Sequence, residues 1–145
     1  MKRGTSLALR VIQVLTAGCY RTYMGYYHLP PSIVEDPAAG EVLIAEVEHI
    51  IHPLGFGKAT DLGEGRVAYS NEVPITMGTT GGEEWERHRL SVGVDLRERL
   101  IVIQDLDYDY ETPFVRSLKE SIEKRLKTRY GLTDLRFEQH VDLLQ

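Results

Sequence analysis

The chain is poor in three features that define common protein classes. It has a single cysteine, Cys19, so an internal disulfide framework is excluded. No apolar run approaches the roughly 20 residues that cross a bilayer as a helix, so no transmembrane helix is expected. Acidic residues outnumber basic residues by 22 to 17, and three of the 17 fall in the first 19 positions. Because nucleic-acid binding needs clustered Lys and Arg, no nucleic-acid partner is expected.

What is present is an ordinary globular composition. The chain has 145 residues, of which 42% are hydrophobic and 27% charged. This length and composition suffice for one domain that buries its own core. The sequence predicts that this domain spans residues 36–145.

The first 19 residues have the three parts of an export signal. Lys2 and Arg3 form a basic start, a short apolar segment follows, and the segment ends in Leu-Thr-Ala-Gly-Cys over residues 15–19. This segment resembles a bacterial lipoprotein signal peptide, whose lipobox ends in a small residue followed by the cysteine that is lipidated. It departs from the pattern in two ways. Thr16 stands where the family usually has Leu, and Arg10 interrupts the apolar region, as does Gln13.

The resemblance implies that residues 1–18 are removed as a signal peptide and that Cys19 becomes the acylated N-terminus, with palmitate among its fatty acids. The protein would then be a lipoprotein of the cell envelope with a membrane anchor. Tyr20 is not the aspartate that retains such proteins in the inner membrane, so the outer membrane, facing the periplasm, is expected. The alternative is that residues 7–15 form an amphipathic helix of a cytoplasmic protein and that Cys19 is an incidental thiol.

Residues 19–35 are predicted to be a tether between the anchor and the domain. The segment lacks a clear period, is rich in Tyr, and reaches Pro30 and Pro31 before the first helix. Its amphipathic rings, among them Tyr23, Tyr26 and Tyr27, favour either a membrane interface or a partner's surface. They would equally suit packing on the protein's own sheet.

Residues 90–106 predict an antiparallel hairpin at the centre of a sheet. Residues 90–96 alternate apolar and polar side chains, and residues 100–103 are a continuous apolar run, as in a strand covered on both faces. Residues 97–99 are short enough to be the turn.

Helical spacing of apolar residues predicts helices over residues 36–54 and 112–130. Further strands are expected at residues 67–69 and 135–143. The predicted fold class is therefore α+β, in the order α-β-β-β-α-β. The simplest packing is a two-layer sandwich with a mainly antiparallel four-stranded sheet and both helices on one face. Ile101 and Ile103 are predicted to lie on the other, otherwise polar face, where the tether, a second copy of the chain or a partner would cover them.

Two groups of side chains are candidate metal ligands. Glu46, His49 and His52 are three residues apart on the first helix and could hold zinc, although a solvated face is the usual explanation of such spacing. The second group is an acidic run. If the strand continued, its alternation would place four carboxylates on one side, where they could bind calcium or perform acid–base catalysis: Asp105, Asp107, Asp109 and Glu111. The alternative is an acidic edge that prevents pairing with other chains.

These observations favour a non-catalytic binding or accessory module with a protein partner and a membrane contact through the N-terminal lipid. No cofactor is expected, because the chain shows no nucleophile–base pair, complete metal set or phosphate-binding loop. One alternative is an envelope enzyme, hydrolase-like, that uses the acidic run 105–111 with His88 or His140. Another is a cytoplasmic interaction domain without lipidation.

Overall fold

The computed structural model of the protein describes residues 21–76, 85–130 and 135–143. Three helices and a 3₁₀ turn lie in these ranges: α1 (Ser32–Glu35), α2 (Pro37–Ile51), the turn His52–Leu54, and α3 (Pro113–Tyr130). The strands are β1 (Arg21–His28), β2 (Thr60–Gly63), β3 (Arg66–Thr76), β4 (Trp85–Asp95), β5 (Leu100–Asp105) and β6 (Arg136–Leu143).

The strands form one antiparallel sheet in the order β2-β3-β4-β5-β1-β6. The predicted α+β class and antiparallel sheet are confirmed. The predicted number of strands and the order of the elements are wrong, because the described sheet has six strands rather than four and its first strand precedes the helices.

The predicted hairpin is confirmed as β4 and β5. Asp95 pairs with Leu100 across the turn, and the ladder continues to Leu90 opposite Asp105. Every residue of β5 is buried, as its continuous apolar run predicts. Arg99 closes the turn with a φ of 57°, and its carbonyl accepts a hydrogen bond from the N–H of Leu29 at 2.8 Å. The hairpin is therefore the centre of the sheet.

Both long helices begin directly after a capping side chain. Asp36 accepts a hydrogen bond from the N–H of Ala38 at 3.0 Å, and Thr112 accepts one from the N–H of Val115 at 3.3 Å. At the end of the first helical segment, Gly55 adopts a φ of 96° and donates its N–H to His52 O. These local signals fix helix ends because they satisfy backbone groups that the helix itself leaves unpaired.

The tether predicted over residues 19–35 is wrong for residues 21–28, which form β1. This strand lies between β5 and β6, and Tyr23 and Tyr27 are at most 1% exposed. The segment lacks an apolar–polar alternation because β1 is covered on both of its faces. Its partners are more than 70 residues away in sequence, so no local turn signals the pairing.

The sheet has two faces of different character. The helix face is packed against α2 and α3, and its buried strand residues are Tyr23, Tyr27, Tyr69, Leu90, Val92, Val94, Ile101 and Ile103. The second face is the opposite side, and its buried strand residues are Thr22, Met24, Ser91, Asp95, Leu100, Val102 and Gln104. The predicted placement of Ile101 and Ile103 on the face opposite the helices is wrong. In the register of the hairpin they lie beside Val94 and Val92, on the helix face.

Gly25 marks the closest approach on the helix face. The ring of Phe137 in β6 lies over it, so a Cβ atom at position 25 would be 2.0 Å from Phe137 Cζ. The same ring packs edge-on against Tyr27, with centroids 4.9 Å apart, and lies 3.9 Å beneath Lys119 Nζ of α3. The missing side chain at Gly25 therefore allows β6 and α3 to close the core over β1.

Candidate functional site

A depression of about 630 Å³, here called the α2 groove, lies between the end of α2 and β3. Its apolar lining includes Ile51 of α2, Pro53 and Phe56, and Tyr69 of β3 also lines it. The polar groups that line it are Glu48, His49, His52 and Lys58.

The groove exists because the chain reverses direction after α2. Gly55 turns the chain, and Phe56 then buries its ring in the core at 3% exposure. The next residue, Gly57, donates its N–H to the Ser70 carbonyl at 3.3 Å. Asn71 Nδ2 donates to the Leu54 carbonyl at 2.9 Å, which ties the 3₁₀ turn to β3. These bonds hold the wall of the groove against the sheet.

Tyr69 is the buried polar group of the groove. It is 1% exposed, and its hydroxyl lies buried beside the Glu48 carboxylate. Burial first, and then the charge of Glu48 and a hydrogen bond with it, raise the pKa of the Tyr69 hydroxyl well above its usual range. The hydroxyl remains protonated at physiological pH and acts as a donor toward Glu48.

The predicted zinc ligands do not converge. Glu46 is buried and faces α3, with Oε1 3.8 Å from Arg125 Nε. His49 and His52 are exposed and line the α2 groove. Each three-residue step along a helix turns the side chain by about 60°, which separates the first of the three from the last. Within the described residues, no three His, Cys, Asp or Glu side chains lie close enough together to hold a metal ion.

The acidic run does not continue the strand, so the predicted alignment of its carboxylates is wrong. β5 ends at Asp105, whose Oδ1 accepts hydrogen bonds from the N–H groups of Asp107 at 3.0 Å and Tyr108 at 3.2 Å. This turn sends the following side chains in different directions. Asp107 forms an ion pair with Arg89 at 3.0 Å and accepts that residue's N–H at 2.7 Å. Asp109 lies in the bend between this turn and α3.

Glu111 lies next to α3 rather than beside the other carboxylates. Lys119 Nζ is 2.7 Å from Glu111 Oε1, and Arg116 Nε is 3.5 Å from Oε2. The hydrogen bond from Lys119 lowers the pKa of Glu111 below its usual range. The acidic run is therefore a turn whose carboxylates stabilise the structure locally, through the backbone at Asp105 and through ion pairs at Asp107 and Glu111.

Four of the five residues predicted to contact a partner are buried in the core. Tyr23, Tyr27, Ile101 and Ile103 are at most 1% exposed. Tyr27 donates its hydroxyl to Glu123 Oε2 of α3 at 2.7 Å, which holds β1 to the helix layer. These four side chains stabilise the fold and are not available to a partner.

Tyr26 is the exception, because it lies on the second face and is half-buried. It donates its hydroxyl to Glu138 Oε2 at 2.9 Å and contacts His140 Nε2 at 2.7 Å, with the two rings stacked. His28 Nε2 lies 3.1 Å from Glu138 Oε1. His140, a candidate residue of the hydrolase-like alternative, is therefore held against Tyr26 and lies apart from the acidic run.

The centre of the second face is buried although no described helix packs on it. Met24, Leu100 and Val102 form a small apolar cluster, each at most 4% exposed. Gln104 Nε2 donates to Thr22 Oγ1 at 3.3 Å, but Gln104 Oε1 has no hydrogen-bond partner. Asp95 Oδ2 is also buried without one. The second face thus combines apolar and unsatisfied polar groups, whereas the helix face is mainly apolar.

Two of the predicted features lie outside the described residues. They are the signal peptide with Cys19 and the side chain of His88. None of the helices in the described ranges is long and apolar enough to cross a membrane.

Comparisons with protein families, with curated proteins and with solved structures give no significant match. The α2 groove was not predicted, because its parts lie in a helix end, a turn and a strand, and none of these carries a binding motif. The nearest sequence signal is Gly55 and Gly57 around Phe56, which indicates a chain reversal but not a cavity.

Proposed function

We propose that the protein is a lipid-anchored, non-catalytic binding module of the cell envelope, with Cys19 as the acylated residue and the α2 groove as the ligand site. The observation that supports the lipid anchor is the position of Cys19. It is the only cysteine of the chain, ends the segment that resembles a lipoprotein signal, and stands two residues before the first residue of β1.

This position would hold the domain close to the lipid surface. Consecutive Cα atoms are about 3.8 Å apart, so the Cα atom of Cys19 lies within about 8 Å of that of Arg21. The end of the sheet that contains Arg21 and Asp105 would then face the lipid headgroups. A long flexible tether is not part of this proposal, since only Tyr20 separates Cys19 from β1.

The charges at this end of the sheet are compatible with such a position. Asp107 is paired with Arg89, and Glu111 is paired with Lys119 and Arg116. Because these carboxylates are partly neutralised, their repulsion from anionic headgroups is reduced.

A ligand site is supported by the composition of the α2 groove. Apolar side chains line it together with Glu48, His49, His52 and Lys58. The raised pKa of Tyr69 makes its hydroxyl a hydrogen-bond donor rather than a general base at neutral pH. A volume of about 630 Å³ is within the range of small-molecule sites.

Metabolic labelling with a fatty acid tests the anchor in the organism or in a bacterial host that processes lipoproteins. Wild-type protein should incorporate label, and its intact mass should show loss of residues 1–18 and gain of acyl chains. The Cys19→Ser variant should incorporate none, because the acylated sulfur is absent. The matched control Ser117→Ala, at an exposed position of α3, should label like wild type. Label that persists in Cys19→Ser would refute the anchor.

One observation favours a second candidate, a cytoplasmic binding domain that keeps its N-terminus. The second face is buried without a described covering layer, and residues 1–20 directly precede β1, which contributes Thr22 and Met24 to that face. The same mass measurement separates the candidates. A mature protein that begins at Met1 and carries no acyl chain would support the second candidate and exclude the first.

A further inference from the structure

The two edges of the sheet differ in how they are protected against pairing with another strand. The edge strand β2 has four residues, and its register with β3 shifts between Asp61 and Gly63. Short length and irregular pairing both protect a sheet edge. The other edge strand, β6, has eight residues without proline and pairs with β1 in one unbroken register. Among the described strands, none pairs with the free side of β6, so that side offers main-chain hydrogen-bonding groups to another strand.

The side chains of β6 are accessible to such a strand. Glu138, Gln139 and His140 are exposed, and so is the apolar side chain of Val141, at 37%. Glu138 and His140 lie on the second face. Because side chains alternate along a strand, Phe137, Gln139 and Val141 lie on the helix face. A second strand along this edge would therefore meet charged groups on one face and apolar groups on the other.

The sequence of β6 is complementary to itself when two copies run antiparallel about Gln139. A two-fold axis normal to the sheet places the Gln139 residues of the two copies opposite each other and keeps equivalent faces together. On the second face, Glu138 of each copy then lies opposite His140 of the other. On the helix face, Phe137 of each copy lies opposite Val141 of the other.

Charge favours this register over its neighbours. An axis at Glu138 would place two carboxylates opposite each other, and an axis at His140 would place Glu138 opposite Asp142. Like charges directly opposite each other destabilise a strand pair. With the axis at Gln139, position 142 is opposite Arg136 instead. Each acidic residue of the strand then faces a basic residue or a histidine, whereas charges that only prevented pairing would be of one sign.

We propose that the protein forms a homodimer in which the β6 strands of two copies pair antiparallel about Gln139 and join the two sheets into one. The strands form about six to eight main-chain hydrogen bonds with each other. This inference goes beyond the proposed function and does not depend on acylation of Cys19. The axis directs the Arg21 ends of the two copies away from each other. Two anchored copies therefore reach one membrane with the joined sheet lying flat on it, whereas a single anchored copy stands on its Arg21 end.

Disulfide formation at single introduced cysteines tests the register. The full chain carries Cys19→Ser, so that the introduced thiol is the only one. Gln139→Cys places two thiols across the axis, where opposite Cα atoms are about 4.5–5.5 Å apart and a disulfide spans about 4.4–6.8 Å. Oxidised glutathione should convert this variant to a covalent dimer. The matched control Val141→Cys, on the same face of the strand, should form none, because the two thiols are then offset by about 13 Å along the strands.

Sedimentation equilibrium of the same Cys19→Ser chain, without introduced thiols, tests the charge pairs. His140→Glu places a carboxylate opposite Glu138 twice in the dimer and should weaken dimerisation by about 5- to 10-fold. Adding Glu138→Lys to His140→Glu restores opposite signs and should restore dimerisation. Thr128→Glu, at an exposed position of α3, adds the same charge away from β6 and should leave the dissociation constant unchanged. Circular dichroism of each variant checks that the fold is intact.

The outcomes distinguish this dimer from other associations. A covalent dimer from Glu138→Cys or His140→Cys, but not from Gln139→Cys, would overturn the register. Equal weakening by His140→Glu and Thr128→Glu would overturn the cross-strand charge pairs. A folded chain that remains monomeric up to about 0.5 mM, and forms no covalent dimer from any of these cysteine variants, would overturn the homodimer. None of these results bears on the lipid anchor, which the labelling experiment tests separately.

Discussion

The two faces of the sheet are both buried at their centres but are built differently. On the helix face, apolar side chains of β1, β4 and β5 pack against apolar side chains of α2 and α3. On the second face, the apolar cluster of Met24, Leu100 and Val102 lies among Thr22 and Gln104. Buried polar side chains add less to stability than apolar packing does, so the helix face should contribute more to the stability of the fold than the second face.

The sharpest test of this comparison removes one large apolar side chain from each face. Ile103→Ala on the helix face should lower the free energy of unfolding by about 3–5 kcal/mol, because this fully buried side chain is surrounded by core residues. Leu100→Ala on the second face should cost about 2–3 kcal/mol, since fewer apolar neighbours surround it. Urea unfolding followed by circular dichroism measures both. Equal losses would show that the second face is packed as tightly as the helix face.

A smaller effect is expected from the polar pair of the second face. Thr22→Val removes the acceptor of Gln104 Nε2, leaves that buried amide unpaired, and should destabilise the protein by about 1–2 kcal/mol. The double variant Thr22→Val with Gln104→Leu removes both partners and the unsatisfied Gln104 Oε1, so its stability should return to within about 0.5 kcal/mol of wild type. The free energies of unfolding of the wild type, the two single variants and the double variant are the quantities to measure. If the double variant loses as much as the sum of the single changes, this polar pair is essential to the face.

The smallest change in stability is expected from two carboxylates, Glu111 next to α3 and Glu138 on β6. The hydrogen bond from Lys119 is the largest cause of the lowered pKa of Glu111. The hydrogen bond from Tyr26 is the largest cause of the lowered pKa of Glu138. A lowered pKa in the folded state gives stability that is fully present above the ordinary value of 4.5 and is lost as the pH falls through the folded-state value.

Glu111→Gln should therefore destabilise the protein at neutral pH, by at most about 1 kcal/mol because the ion pair is partly exposed. The effect should vanish well below pH 4.5, because Glu111 is then protonated in the wild type as well. Glu138→Gln should follow the same pH dependence with a smaller change, since Glu138 is exposed at the edge strand β6. Unfolding of each variant at several pH values is the measurement. A destabilisation by Glu111→Gln that grows as the pH falls would contradict the lowered pKa.

The elements that could be predicted from the sequence are those specified by neighbouring residues. The β4–β5 hairpin carries its own turn, and the two long helices carry their own caps at Asp36 and Thr112. The strand β2 was missed because it has four residues and its side chains are largely exposed, so no apolar alternation marks it. Its turn is recognisable only by the left-handed conformations of Glu64 and Gly65.

The candidate site was less predictable than the fold. His49 and His52 were identified as candidate ligands, and they do line the α2 groove, but the partner predicted for them, Glu46, faces α3. Tyr69 was noted only as a strand residue, because its importance arises from burial beside the end of a helix that lies about 20 residues earlier in the chain. The pattern of residue types along the chain does not predict such contacts between distant segments.

The sequence by itself determined the two long helices, the central hairpin, the antiparallel α+β class and the acidic composition, because these depend on residue types and on periodicity, capping and turn residues close together in the chain. Only the tertiary structure decided that residues 21–28 are a central strand, that Ile101 and Ile103 face the helices, and that Tyr69 lines a groove. The physical reason is that strand pairing and side-chain burial join residues far apart in sequence. Their energies therefore depend on the whole packed arrangement rather than on local pattern.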